Sequence, residues 1–484
     1  MTASGEQPQP NRVWMEWAAL ALIGSSLLLL LHCYGTVLLP FVPDESLFLQ
    51  AAHNLANGKG MGTPALDDLL PGIAQRTYWQ PPVYFLALAA WGSMTGFDVV
   101  AARWLSRLCA VGVLALLWLL ARQWGLGRWA GLLCVLWTAS DLAFQYNANI
   151  ARMDMLSALG LTACLLAFTL YQRDGKEWQV ALAGVCGALA TLTHFITLPA
   201  VAVLGMVLCR RRRWRASVWF ALPIAIGWLL WLTYAAQDWH GWSGQLAAQF
   251  IRKGASGLTP MALRLLFLHS AMPLWGVFKT NALPLGSILL VGSLVAAWRR
   301  NPLFSRWQIA ALFATYTAAA IGGEFWYVGW WTPFGYLLLG RWLHAVDARW
   351  KPKVGLVVFC AALVGWQAVT VAQTLTSVPR LRDDVARFFA EVSSVLPKGA
   401  TVVLHSVPDP FPVLQRVRPD LHLVQLSPTP MLPAALAHNF QRAQAFVGVT
   451  EWVKGRPGAS LPPAQKAWRF HATEGTWVVH LHPL

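Results

Sequence analysis

Residues 81–96 read PPVYFLALAAWGSMTG, and whether this stretch crosses a membrane decides how the whole chain is threaded. It is apolar enough to be counted as a span. At about 16 residues, though, it is short for a hydrocarbon core of about 30 Å. Working outward, basic clusters fall in alternate loops: Arg122 and Arg128; Arg173 and Lys176; Arg210 to Arg213 with Arg215; Arg299, Arg300 and Arg306; Arg341, Arg349, Lys351 and Lys353. Short loops rich in Lys and Arg stay cytoplasmic. Counting 81–96 as a crossing would move Arg122 and Arg128 outside and break that alternation. The stretch is therefore expected to lie as a helix in the outer interface.

The composition supports a membrane setting. Of 484 residues, 56% are hydrophobic and 12% charged, with a mean hydropathy of +0.48. Water-soluble chains carry about twice that charged fraction. The 28 Trp suit a chain whose indole rings settle at the water–lipid boundary. The net charge of +16 comes in short clusters between apolar segments, an orientation signal that excludes a nucleic-acid partner. All seven cysteines lie in apolar stretches with spacing that suits neither zinc nor a disulfide framework, so they read as small buried hydrophobes. The N-terminus lacks a cleavable-signal pattern, and the first apolar run reads as a retained helix.

The expected architecture is an all-α polytopic membrane protein of about 11 spans followed by a small α/β domain. Spans are placed at 14–38, 99–121, 129–147, 155–171, 178–194, 196–209, 216–235, 281–298, 307–322, 325–343 and 354–375. Residues 1–13 form a cytoplasmic tail, 14–375 the membrane domain with outer loops 39–98 and 236–280, and 376–484 an external domain. In that last part RDDVARFFAEVSSVLP has helical periodicity. TVVLHSV, LHLVQLS, QAFVGV and TWVVHLHPL read as short strands between turns. No Gly-rich phosphate loop follows a strand there.

On the outer side, PDES (43–46) sets Asp44 beside Glu45 at the start of a helix. The bland reading makes Asp44 an N-cap and Glu45 a first-turn carboxylate favoured by the helix dipole. NANIARMDMLSALGL places Arg152 and Asp154 at the outer end of another span, where Asp154 is also a candidate cap. Ionisable groups at a membrane boundary that face one cavity are functional candidates. Two acids from separate loops suit general-base work on a hydroxyl, or a divalent cation held through oxygen. The cations on that side are Arg76, Arg103, Arg107, Arg252, Lys253, Arg264 and Lys279, with His194 ending a span. Singly, each reads as a solvated loop charge. Together they run against the charge bias of outer loops, and a phosphate bound there would offset their orientation cost.

In order along the chain, PDES, YWQPPVYFLALAAWGSMTGFDVVAARWLSRL, ARMDMLSALGL and LAGVCGALATLTHFITLPA resemble the polyprenyl-phosphate-dependent GT-C glycosyltransferases. That group contains protein O-mannosyltransferases and lipid A aminoarabinose transferases. The likeness covers roughly residues 14–210 well and the rest in layout. It implies a GT-C fold and transfer of a sugar from a polyprenyl-phosphate donor to an envelope glycolipid, glycan or protein, at the periplasmic face of a bacterial inner membrane. It makes Asp44 the catalytic base and Asp154 the second acid, with Glu45, Arg76, Tyr78, Gln80, Arg103, Arg152, His194, Arg252, Lys253, Lys279, Glu324 and Tyr327 as substrate contacts. The chain departs from the pattern at three places. Trp79 and Gln80 replace a Glu-Lys pair, so the lysine's phosphate contact passes to Arg76. His194 stands where relatives often have lysine, and Glu324 where a basic residue is common. No cofactor is implied beyond a divalent cation at Asp44 and Asp154, if any. The rival readings are a secondary transporter or lipid flippase, which should carry mid-membrane charges and inverted repeats, and a non-catalytic assembly subunit.

Overall fold

A computed structural model describes residues 43–66, 69–252, 332–341, 378–426, 433–453, 461–472 and 475–484. Its helical part opens with helix α1 (Pro43–Ala56), followed by a 3₁₀ turn (Pro64–Leu66) and α2 (Val83–Thr95). Helix α2 occupies the stretch read as interfacial, and its 13 residues are short for a crossing. Next come α3 (Val99–Gln123), α4 (Arg128–Ser140), α5 (Leu142–Ala148), α6 (Asp154–Asp174), α7 (Glu177–Thr193), α8 (Leu198–Arg210) and α9 (Trp214–Ala235). The last runs through a 3₁₀ turn into α10 (Trp239–Arg252). Residues 332–341 form helix α11.

Among the described residues three helices are long and apolar enough to cross a membrane: Val99–Gln123, Asp154–Asp174 and Trp214–Gln249. The expected spans 14–38, 281–298, 307–322 and 354–375 lie outside the described residues, as do 325–331 and 342–343 of the span 325–343. The expected span 129–147 is corrected. It breaks at Asp141, whose side chain accepts a hydrogen bond from the Phe144 amide (3.0 Å) and another from the Tyr336 hydroxyl (2.9 Å). A carboxylate that caps a new helix ends the previous one, which gives α4 and α5 in place of one span.

Helices α3, α6, α7 and α9 pack side by side. Small residues set the closeness. A Cβ added at Gly160 would come within 3.0 Å of the Ala190 amide nitrogen, and one at Gly184 would collide with the Phe220 carbonyl. Such crossings suit helices held by van der Waals packing. Along α9 the side chains of Val218, Trp219, Leu222, Ile226, Leu229 and Leu230 are exposed.

The C-terminal part is a five-stranded sheet with order β2-β1-β3-β5-β4. Strand β1 (Thr401–His405) pairs in parallel with β2 (His422–Gln425) and β3 (Ala445–Gly448). Strand β5 (Gly475–Pro483) is antiparallel to β3 and to β4 (Lys466–Ala472). Helices α12 (Val378–Val395), α13 (Phe411–Val417), α14 (Pro433–Arg442) and α15 (Thr450–Val453) complete it. Four of the strands fall in the runs read as β-like, and KAWRFHA is an additional one. This sheet is not an appendage. One apolar core runs from Leu47 and Phe48 in α1 through Tyr84 and Phe85 in α2 to Phe411, Leu414, Val424 and Leu426.

Candidate active site

The acids named from sequence converge on one arginine. Arg152, in the turn before α6, donates through Nε to Asp154 Oδ2 at 3.0 Å and through an Nη nitrogen to Asp44 Oδ2. A guanidinium presents several donors in a rigid fork, so one side chain can hold two carboxylates. Asp154 is the first residue of α6, whose N-cap Met153 makes no side-chain cap bond, and its carboxylate is engaged by Arg152. Asp44 likewise lies in the first turn of α1, which already includes Pro43. Asp154 is 0% exposed and Asp44 16%, so only Asp44 retains an open side.

Glu45 points the other way. Both of its carboxylate oxygens are taken by Arg103, Nε to Oε1 and Nη2 to Oε2, each at 2.7 Å. Oε1 also accepts the Ala151 amide at 2.9 Å. Glu45 and Arg103 are both shut off from solvent and closed on each other. Their bidentate pair ties α1 to α3 and to the turn that carries Arg152. Two adjacent carboxylates thus have different surroundings because helical geometry turns neighbouring side chains to different faces.

Further buried polar atoms surround this cluster. Arg107, one turn beyond Arg103, donates through Nε to Asn149 Oδ1 at 3.0 Å, and its guanidinium lies 4.9 Å from the Trp104 ring centroid. Its two terminal nitrogens, the Tyr84 hydroxyl, Asp154 Oδ1 and Ser157 Oγ are buried without a hydrogen-bond partner among the described residues. Buried polar groups normally find partners, which marks this end of the bundle as built for more than packing. Burial, and then the charges of Glu45 and Asp154, hold the Tyr84 phenol well above its ordinary range. It stays protonated, a donor.

A second cluster forms in the first loop. The Arg76 guanidinium sits 5.3 Å from the Tyr234 ring centroid and donates a long bond, 3.5 Å, to the Tyr78 hydroxyl. Tyr78 itself packs on Trp231 and Tyr234 with centroids 5.9 and 5.8 Å away, and burial raises its phenol. Gln245 of α10 stitches the loop in place: its Oε1 accepts the Tyr78 amide at 2.6 Å, and its Nε2 donates to the carbonyls of Pro71 (2.9 Å) and Arg76 (2.8 Å). Nothing in the sequence singles out Gln245, which lies 167 residues from Tyr78.

His194 ends α7 and accepts the Ile196 amide on Nδ1 at 3.1 Å, which caps the short turn that follows. Gln80 is half-buried, with no hydrogen-bond partner for Oε1 among the described residues. Arg252 is the last residue of α10. Lys253, Lys279, Glu324 and Tyr327 lie outside the described residues. No group of three or more His, Cys, Asp or Glu with metal-binding geometry occurs among the described residues. Arg152 already sets a positive charge against both Asp44 and Asp154, which disfavours a divalent cation shared by the two.

Solved structures share this overall fold. ArnT from Cupriavidus metallidurans bound to undecaprenyl phosphate superposes with a TM-score of 0.57 at 14% identity, over 95% of this chain and 97% of that one. The chain shares the fold of that structure. The apo structure of the same ArnT gives 0.51 at 15% identity, over 97% of this chain and 98% of that one. The oligosaccharyltransferase of Archaeoglobus fulgidus, solved with a tethered acceptor peptide, gives 0.56 at 10% identity, over 96% of this chain and 74% of that one. The family model for dolichyl-phosphate-mannose-protein mannosyltransferase matches residues 79–248. No curated protein matches the sequence. The matched segment begins at Trp79 and takes in Arg103, Arg152, Asp154 and His194, while Asp44 lies before it.

Proposed function

We propose that this chain is an integral-membrane glycosyltransferase. It moves a sugar from a polyprenyl-phosphate donor to an acceptor hydroxyl or phosphate on an envelope glycolipid, glycan or protein. The observation that carries the reading is the unequal opening of three neighbouring acids. Glu45 and Asp154 are sealed, while Asp44 keeps one side open and is held by Arg152. That is the disposition of a positioned general base.

Asp44 takes the proton from the acceptor hydroxyl as its oxygen attacks the anomeric carbon. The bond from that carbon to the donor phosphate oxygen breaks on the opposite face, and its electron pair leaves with the polyprenyl phosphate. A single displacement inverts the anomeric centre. Arg76, half-buried beside Tyr78 and Tyr234, is the cation offered to the departing phosphate. Arg152 and Asp154 orient Asp44, and Glu45 with Arg103 fixes the helix that carries it.

The face follows from charge. Arg122, Arg128, Arg173 and Arg210 lie at the helix ends remote from this cluster. The positive-inside rule makes that end cytoplasmic and the Asp44 end periplasmic, in a bacterial inner membrane with the N-terminus inside. No nucleotide sugar is supplied there, so a lipid-carried donor is required. The test is purified protein with a polyprenyl-phosphate-linked sugar. Donor consumption is expected, falling about 100- to 10,000-fold in Asp44→Asn with folding intact. A flippase would move the donor without breaking it.

A further inference from the structure

The C-terminal domain reaches the first turn of α1 with one buried carboxylate. Asp409, in the loop after β1, is 0% exposed. Its Oδ2 accepts the hydroxyl of Ser46 at 2.7 Å and the Nε2 of Gln425 at 2.6 Å, and its Oδ1 accepts the Phe411 amide at 3.0 Å. Ser46 is two residues from Asp44 and next to Glu45, yet 363 residues from Asp409. Gln425 and the Phe411 amide belong to the domain itself and aim the carboxylate before it meets α1. The junction is continuous on its apolar side as well, with β2 against the Pro64–Leu66 turn and α13 against α1. Burial pushes the Asp409 carboxyl up to about 7 even against these three donors.

We propose that Asp409 is a positioning residue for the reaction: by holding Ser46 it fixes the first turn of α1, and so makes the C-terminal domain part of the apparatus that aims Asp44. A short helix with a free end would let the base wander, and misplacement of a reacting group by about 1 Å costs on the order of 100-fold. The domain is then more than a cover or an acceptor platform. This rests on the reading of Asp44 as the base.

The test is a double-mutant cycle on the full-length protein with Ser46→Ala and Asp409→Ala. Turnover of a polyprenyl-phosphate-linked sugar is read together with hydrogen exchange of residues 43–56. Each single change should lower kcat roughly 10- to 100-fold, with donor KM within about twofold. The double change should fall no further than the worse single one. Exchange should rise across 43–56 and stay unchanged in α3 and α6. Asp409→Asn, which keeps an acceptor oxygen for Ser46, should recover most of kcat. Multiplicative losses, or unaltered exchange at 43–56 in Asp409→Ala, would overturn the inference. Raised exchange at 43–56 in Asp409→Ala upholds the coupling even if wild-type protein consumes no donor, and that lack of consumption sinks the glycosyltransferase reading alone.

Discussion

The ion pairs at the membrane end of the molecule and those on its C-terminal domain use the same side chains under opposite conditions. Glu45 and Arg103 are closed to solvent, and Asp154 with them. In the C-terminal domain Lys466 and Glu391 meet at 2.6 Å while 39% and 34% exposed, and Arg418 meets Asp420 at 2.9 Å, also partly in water. Exposed pairs gain little because water competes for both partners. Buried pairs are costly to assemble and costlier to break, because breaking one strands a charge away from water. A cluster with that energetic profile is not explained by stability. It fits a site where geometry is worth more than fold free energy.

Four changes would sharpen or break this contrast. The largest effect is expected for Arg103→Ala, which takes the bidentate cation from Glu45 in a dry site. About 3–5 kcal/mol of stability should be lost, read as a lowered unfolding temperature in detergent. A loss under about 1 kcal/mol would mean that water reaches the pair.

The second change concerns Asp409, whose carboxyl burial holds at about 7, with the Glu45 charge adding to the rise. Because the folded value lies above the ordinary range near 4, its contribution is fully present below that range. It is lost as pH rises through about 7. Melting curves of wild-type protein should therefore decline between pH 5 and 8 more than those of Asp409→Asn, which cannot ionise; equal slopes would remove Asp409 from the pH response.

Gln245→Ala should have a moderate effect. It unpairs the Tyr78 amide and the carbonyls of Pro71 and Arg76, at about 1–3 kcal/mol. The measurement is proteolysis in the 71–78 loop, which should speed up. The smallest is Lys466→Ala in the exposed pair with Glu391, expected to shift stability by less than about 1 kcal/mol in chemical denaturation.

What could be read from the sequence was the local and the periodic. Apolar runs gave α3, α6, α7, α8 and α9 their places, and the short run 81–96 its helix. Asp44 and Asp154 were expected to share one face, and Arg152 brings them there. Partnerships across long separations were not legible. Nothing local distinguishes Glu45, which closes on Arg103 58 residues away, from its neighbour Asp44, which stays open. The break at Asp141 had a local sign, a Ser-Asp pair before an apolar run, but hydropathy alone runs through it. Asp409 carried no sign at all. Its role depends on a domain junction, and a lone acid among prolines reads as a turn residue.

The central claim is that Asp44 is the base for transfer from a lipid-borne sugar at the periplasmic face. The most direct measurement is release of polyprenyl phosphate by wild-type and Asp44→Asn protein in proteoliposomes with donor confined to one leaflet. The account predicts release by wild type only when donor is in the leaflet on the Asp44 side, and a fall of about 100-fold or more in Asp44→Asn. Release from the opposite leaflet, or turnover by Asp44→Asn near the wild-type rate, would contradict it.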